Sequence, residues 1–287
     1  MSAPEQTQPG GVRRPPRVST RFLRSELRLV MTRRRNQVAL AVLALPPLII
    51  ALSVRYSDAG PSEDAPTFFA SITDNGLFVA LSALAIESGL FLPLAVAMVA
   101  GDAVAGEAQT GTLRYLLTVP VSRARLLAVK LAGMVAFTLA AAFTVTVVGM
   151  VAGVVLFGGG DLVLFSGSTI GFGEAVLRVC GATLYLSACL ASLAVVGLFI
   201  STLTEQPIGA TIATVIFSSA SFILDAIPQI DWIHPYLITH HWRDFGDLLR
   251  DPVRWDQMAQ GMYVALAYAL VFALAAWARF STKDITT

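Results

Sequence analysis

Six stretches of about twenty residues carry very little charge, and this pattern constrains the fold more than any other feature of the chain. A helix needs about 20 apolar residues to cross the hydrocarbon core of a bilayer. The 287 residues are 55% hydrophobic and 14% charged, against roughly 45–50% and about 25% in soluble domains. The sequence therefore predicts an all-α, polytopic membrane protein with six transmembrane helices. The predicted spans are residues 38–54, 76–100, 131–157, 179–200, 207–227 and 258–280.

Two different segments precede the first span. Residues 1–17 are rich in Pro, Gly and Gln, have almost nothing to bury, and are predicted to form a disordered cytoplasmic tail. In residues 18–36, apolar side chains recur at helical spacing among arginines, which is typical of an amphipathic helix on an anionic membrane surface. The alternative is a basic flank without fixed structure. Residues 37–287 are then expected to form one six-span domain.

The distribution of Lys and Arg predicts the orientation, since these residues resist transfer across the membrane. Fifteen of them lie in the N-terminal segment, the connection between spans 2 and 3, and the C-terminal tail, whereas five lie on the opposite side. Both termini are therefore expected to be cytoplasmic, with the chain in the cell (inner) membrane and the lipid bilayer as a partner. A net charge of +1, with no broad basic face, argues against binding of nucleic acid.

The connection between spans 5 and 6 is predicted to contain an outer amphipathic helix. Ile238, Trp242, Phe245 and Leu249 mark one face of this helix, and the charged side chains lie off it. Trp232 and Trp242 are expected to act as aromatic anchors at the membrane interface.

No catalytic, metal or cofactor site is predicted in this chain, which is therefore not expected to be an enzyme. The three histidines, His234, His240 and His241, match no HExxH pattern and favour interfacial hydrogen bonding. A P-loop needs Gly-Lys-Ser/Thr, but Lys130 follows a valine and Lys283 follows a threonine. If the chain moves a substrate uphill, the energy must come from an ion gradient or from a separate subunit.

A single acidic residue, Glu87, lies near the middle of a predicted span, about 16 Å deep. A carboxylate at such a depth must be neutral, paired, or facing a wet cavity. Two interpretations stay open. Glu87 is either a structural residue that is protonated and bonded to a neighbouring helix, or part of the translocation path.

The connection between spans 2 and 3, residues 101–133, is longer than an inner turn requires. Leu113, Leu116 and Leu117 follow Gly111-Thr112 at helical spacing, and Pro120 ends the predicted short interfacial helix. Such a helix is suited to docking on another protein. The alternative from composition alone is a solvated connector.

The connection contains the run GEAQTGTLRYLLTVPVSRARLLAVKL, in which Glu is followed by Gly-Thr-Leu, two leucines and Pro-Val-Ser-Arg. This run resembles the inner segment of ABC-2-type ABC transporter permeases. The six-span layout, the basic segment before the first span and the ending RFSTKDIT are similar as well. The resemblance implies the permease subunit of an ABC exporter, which works as two permease copies, identical or related, with two separate P-loop ATPase subunits.

The resemblance also implies an inner coupling helix that receives motion from the ATPase. We carry this role to Glu107, Gly111, Thr112, Pro120 and Arg123. Glu107 is expected to accept charge-assisted hydrogen bonds from the ATPase or from the basic N-terminal helix, and Arg123 to pair with Glu107 or a lipid phosphate. Gly111 and Pro120 are expected to fix the helix ends.

An ion-coupled secondary transporter, with Glu87 as the coupling carboxylate, is the alternative from a different class of protein. A membrane-bound hydrolase is a weaker one, since no nucleophile with a base is found.

Overall fold

A computed structural model describes residues 20–56, 71–111 and 122–282. Within these ranges, six helices are long and apolar enough to cross a membrane, so the chain is an all-α, multi-pass membrane protein. These six helices, here called spans 1 to 6, are Arg34–Tyr56, Phe91–Gln109, Arg123–Phe157, Phe172–Leu203, Pro207–Asp225 and Trp255–Thr282.

Several helices extend beyond the stretches predicted from hydropathy. Span 3 begins at Arg123 instead of residue 131, and span 4 at Phe172 instead of residue 179. The 35 residues of span 3 measure about 52 Å at 1.5 Å per residue, whereas the hydrocarbon core is about 30 Å thick. The predicted boundaries are too short because apolar composition marks only the part of a helix that lies in hydrocarbon.

Proline interrupts two of the helices. Span 1 consists of the helices Arg34–Leu43 and Leu45–Tyr56, which meet at Ala44, just before Pro46 and Pro47. The two prolines fall in the first turn of the second helix, where a backbone N–H has no intrahelical partner to lose. The prolines thus mark the point at which span 1 is interrupted.

The prediction of one continuous second span over residues 76–100 is wrong. A short helix, Leu77–Glu87, which we call the half-helix, ends before span 2 begins at Phe91. Pro93 lies in the first turn of span 2, and its ring would clash with the carbonyl of Gly89 in a continuous helix. Span 2 then continues to Gln109, nine residues beyond the predicted end.

Span 4 lies at the centre of the bundle. The most apolar 18-residue window of span 4 is 72% buried, against 22% in span 1, 22% in span 5 and 17% in span 6. Span 4 packs against spans 2, 3, 5 and 6, whereas the half-helix packs mainly against span 3. Gly76 and Gly153 allow the half-helix to approach the backbone of span 3, since a Cβ on Gly153 would overlap the Gly76 carbonyl.

The N-terminal helix is amphipathic, as predicted, but ends at Thr32 instead of residue 36. It is Thr20–Thr32 and is separated from span 1 by Arg33, whose backbone is extended. Arg24 and Arg28 are exposed, whereas Val30 is buried and packs into the core.

One end of the bundle carries a two-stranded hairpin and two 3₁₀ helices. We call this end outer and the opposite end inner, following the orientation predicted from the basic residues. Strand Leu162–Val163 pairs antiparallel with Thr169–Ile170, and the 3₁₀ helices are Pro228–Tyr236 and His240–Leu249. The hairpin is not predicted from the sequence.

The outer amphipathic segment forms, but as 3₁₀ turns instead of an α-helix. Its predicted apolar face is buried. Trp242 is 1% exposed and packs edge-to-face on Phe222, so it belongs to the core and is not an interfacial anchor. Trp232, in contrast, is 72% exposed.

Candidate functional site at the inner ends of spans 2 and 3

Glu107 lies in the last turn of span 2 and is bonded within this chain. The Oε1 atom of Glu107 accepts a hydrogen bond from Lys130 Nζ of span 3 at 2.5 Å. The same ammonium lies 3.5 Å from Glu26 Oε1 of the N-terminal helix. The Lys130 side chain is 4% exposed, and the two carboxylates are 13% and 14% exposed. One buried cation therefore joins three helices.

A second group of charges lies one turn earlier in span 2. Asp102 forms ion pairs with Arg33 and with Arg35, the latter at 3.0 Å between Oδ2 and Nη2. Arg33 is the residue between the N-terminal helix and span 1, and the buried Asn36 donates to the Val30 carbonyl at 2.8 Å across the same junction. These contacts fix the angle at which the N-terminal helix enters span 1.

These two groups of charges line one small cavity, and together we call them the inner cluster. It contains three acids and three bases from four helices: Glu26, Arg33, Arg35, Asp102, Glu107 and Lys130. A cavity of about 20 Å³ lies among these side chains, which is the space of a single water molecule. The inner cluster is therefore a packed junction and not a substrate pocket.

Gly111 and Arg123 lie on either side of the connection between spans 2 and 3 and form contacts that the sequence does not predict. Gly111 has a φ of +69° and ends span 2, with its N–H bonded to the Ala108 carbonyl at 3.1 Å. Glycine is the usual residue for this left-handed helix end. Arg123 donates to the carbonyls of Phe280 and Ser281 at 2.8 and 2.9 Å, and so holds the C-terminus of span 6.

Two of the predicted coupling residues, Thr112 and Pro120, lie outside the described residues, as does the predicted short helix between them. Their roles stay predictions.

Glu87 is the last residue of the half-helix and is fully buried. Within the described residues, neither of its carboxylate oxygens has a hydrogen-bond partner. Arg178 bonds to Glu174 at 2.7 Å and to the Leu248 carbonyl at 2.9 Å. Glu87 is therefore a buried carboxyl group without a hydrogen-bond partner in the part of the chain that the structure describes.

Ala80 of the half-helix and Gly149 of span 3 lie at one level, because a Cβ on Gly149 would lie 2.7 Å from Ala80 Cα.

The outer histidines form hydrogen bonds, as predicted. His240 Nδ1 lies 2.5 Å from Asp225 Oδ1, and His241 Nδ1 lies 2.6 Å from Asp244 Oδ2. No group of three or more His, Cys, Asp or Glu side chains in the described ranges could hold a metal ion. The first pair attaches the 3₁₀ helix His240–Leu249 to the end of span 5, and the second pair lies within that 3₁₀ helix.

The inner cluster and the six-span arrangement can now be compared with known proteins. The profile of the family described as "ABC-2 family transporter protein" matches residues 30–221, which is about two thirds of the chain. The chain belongs to this family. The matched region contains Glu87, Asp102, Glu107 and Lys130, whereas span 6 lies outside it. No curated protein matches the chain. This ABC-2 protein is thus a multi-pass membrane permease of an ABC transporter.

Proposed function

We propose that this ABC-2 permease is the membrane subunit of an exporter, and that a separate P-loop ATPase carrying ATP and magnesium drives it through the connection between spans 2 and 3. The observation that supports this most directly is the ion pair of Glu107 with Lys130. The pair joins the two spans on either side of the connection. Force applied to the connection therefore reaches both spans together.

Both ends of the connection are held by defined hydrogen bonds, so we expect a force on the connection to reach the spans. Gly111 ends span 2 with a defined cap, and the Ser122 side chain caps span 3 by accepting from Arg125 N–H. Arg123 then links the start of span 3 to the end of span 6. Thr112 and Pro120 complete the proposed coupling element by resemblance alone.

The translocation path is proposed to pass Glu87, which is fully buried within one permease copy. A buried carboxyl group without a partner is costly in an apolar environment, and such residues in spans commonly mark transport pathways. The alternative function is an ion-coupled secondary transporter in which Glu87 binds the coupling ion. This function would use the same buried carboxyl group. The two functions differ in their source of energy.

Co-purification with an ATPase tests the proposal. The chain is co-expressed with a soluble P-loop ATPase encoded beside its gene, and hydrolysis of ATP is measured with and without the permease in lipid nanodiscs. We expect a stable complex whose hydrolysis rate depends on the permease. Gly111→Pro, which cannot adopt the left-handed cap, should weaken the complex or remove this dependence, whereas Gln109→Ala, at an exposed position, should behave as wild type. Absence of a complex for the wild-type chain would contradict the proposal.

A further inference from the structure

A buried serine of span 4 is bonded to the backbone of span 2. Ser201 is fully buried, two residues before the end of span 4. Its Oγ accepts hydrogen bonds from the N–H groups of Val104 at 3.1 Å and Ala105 at 2.9 Å, and donates to the Gly101 carbonyl at 2.8 Å. A hydroxyl has one donor and two acceptor sites. All three are used on one turn of a neighbouring helix.

In a regular α-helix, the backbone N–H and carbonyl groups of this turn would bond to each other and would need no side chain from another helix. In an unbroken helix the Ala105 N–H bonds to the Gly101 carbonyl. The Ser201 hydroxyl bonds to these same two groups, while span 2 is a continuous α-helix from Phe91 to Gln109. A side chain that competes for the hydrogen bonds of a helix is an established cause of helix bending. We therefore regard this turn as the place where span 2 can bend.

Span 5 meets the same turn from another side. A Cβ on Gly101 would lie 2.5 Å from Thr211 Oγ1 and 2.9 Å from the Pro207 carbonyl. The Thr211 hydroxyl donates to Pro207 at 3.0 Å and contacts the Ala97 carbonyl at 3.4 Å. Spans 2, 4 and 5 are thus in backbone-level contact around Gly101, and the charged residues of span 2 follow immediately, with Asp102 next and Glu107 five residues later.

We propose that Ser201 is a positioning residue for transport: it is the joint through which a displacement of the inner end of span 2, carrying Glu107, is passed to spans 4 and 5. This inference rests on the proposed function, since the displacement is the one that an ATPase produces. The bridged turn of span 2 bends, and the Ser201 hydroxyl keeps that turn attached to span 4 while it does so. Without the hydroxyl, the inner end of span 2 moves and the rest of the bundle does not follow.

The substitution Ser201→Ala removes only the bridging oxygen. Its matched control is Thr202→Ala, because Thr202 is equally buried and its hydroxyl donates at 2.7 Å to Phe199 of its own helix. Hydrogen–deuterium exchange of the purified full chain is measured for the peptide covering residues 101–109. We expect exchange to be roughly three- to tenfold faster in Ser201→Ala, unchanged in Thr202→Ala, and intermediate in Ser201→Cys, which keeps a weak donor and acceptor.

The second measurement uses the complex with the ATPase and needs no substrate. Distances are measured between two pairs of spin labels. The pair Gln109–Leu203 reports movement of the inner end of span 2, and the pair Leu94–Leu177 reports movement of the rest of the bundle. All four positions are exposed. Labelled chain is diluted with unlabelled chain, and distances are compared before and after trapping with ATP and vanadate. We expect both distances to change in wild type and Thr202→Ala, and only the Gln109–Leu203 distance to change in Ser201→Ala.

The outcomes separate the two proposals. If Ser201→Ala keeps the full change between positions 94 and 177, or leaves exchange of residues 101–109 at the wild-type rate, the role of Ser201 is wrong while the proposed function stands. If neither distance changes in the wild-type complex, the proposed coupling to an ATPase is itself wrong.

Discussion

Lys130 Nζ of span 3 lies 2.5 Å from Glu107 Oε1 of span 2, although 23 residues separate the two in the chain. The lysine is almost completely buried, and a buried ammonium without a carboxylate is strongly unfavourable. The pair therefore fixes the inner ends of spans 2 and 3 at one level. A substitution at either residue is expected to change both stability and coupling, and the two effects have to be measured separately.

The substitution Glu107→Ala should leave membrane insertion intact, because the residue lies at the inner end of its helix. It leaves Lys130 with Glu26 alone, at 3.5 Å. We expect the free energy of unfolding to fall by about 1.5–3 kcal/mol, as for loss of a charge-assisted hydrogen bond. Denaturant unfolding of the purified chain measures this, with Gln109→Ala as the control. A variant as stable as wild type would show that Glu26 alone is enough to stabilise the buried Lys130 ammonium.

The double substitution Glu107→Gln with Lys130→Met separates packing from charge. It removes the buried cation together with its partner, so we expect it to recover part of the stability lost in Lys130→Met or Glu107→Gln alone. Its complex with the ATPase should still be uncoupled, because the link between the two spans is lost. Full recovery of coupling in the double variant would mean that packing, not the ion pair, joins the spans.

The close approach of the half-helix to span 3 predicts a steric effect. Gly153→Ala places a Cβ onto the Gly76 carbonyl and should destabilise the chain by about 1–3 kcal/mol, as overpacking does. Gly173→Ala, where no atom lies within 4 Å of the new Cβ, should have no effect or stabilise slightly. Thermal unfolding in nanodiscs compares the two. Equal melting temperatures would contradict the contact between Gly76 and Gly153.

The number and order of the spans could be predicted from sequence, because each apolar stretch must lie in hydrocarbon. The helix ends could not, since Arg123 to Lys130 and Gly101 to Gln109 continue their helices through residues with polar composition. The break before span 2 has a local signal, Pro93 after Ser88-Gly89, which was outweighed by the continuous hydropathy around it.

Only some residues of the candidate site could be predicted from the sequence. Glu107 was found through its resemblance to a motif, but its partner Lys130 lies on another span and is brought near by packing. Asp102 and Ser201 carry no motif of their own. Lys130 did have one signal, since it is one of only two lysines in the chain and borders an apolar stretch.

The substitution Glu87→Gln should leave folding and the amount of protein in the membrane unchanged, because neither oxygen of the carboxyl group is bonded within the described residues. If Glu87 faces the path, export should fall more than ATP hydrolysis does in the reconstituted complex. Melting temperature, hydrolysis and export are measured on the same preparation. Unchanged export would reduce Glu87 to a structural residue.

The orientation rests on the fifteen basic residues assigned to the inner side against five outside. Single cysteines at positions 14 and 283 should be protected from a membrane-impermeant maleimide in intact cells, whereas cysteines at positions 64 and 244 should react. The two native cysteines, Cys180 and Cys189, are first replaced by alanine. Labelling at position 283 from outside would contradict the six-span topology.

The most direct test of the central claim is transport by the purified permease in sealed vesicles, with and without the ATPase. Candidate substrates are loaded in parallel, and either ATP or an ion gradient is supplied. We predict export only when permease, ATPase and ATP are all present, with hydrolysis and export both reduced in Glu107→Ala. Export that an ion gradient drives without any ATPase would contradict ATP-driven coupling and establish Glu87 as the candidate coupling carboxylate of a secondary transporter.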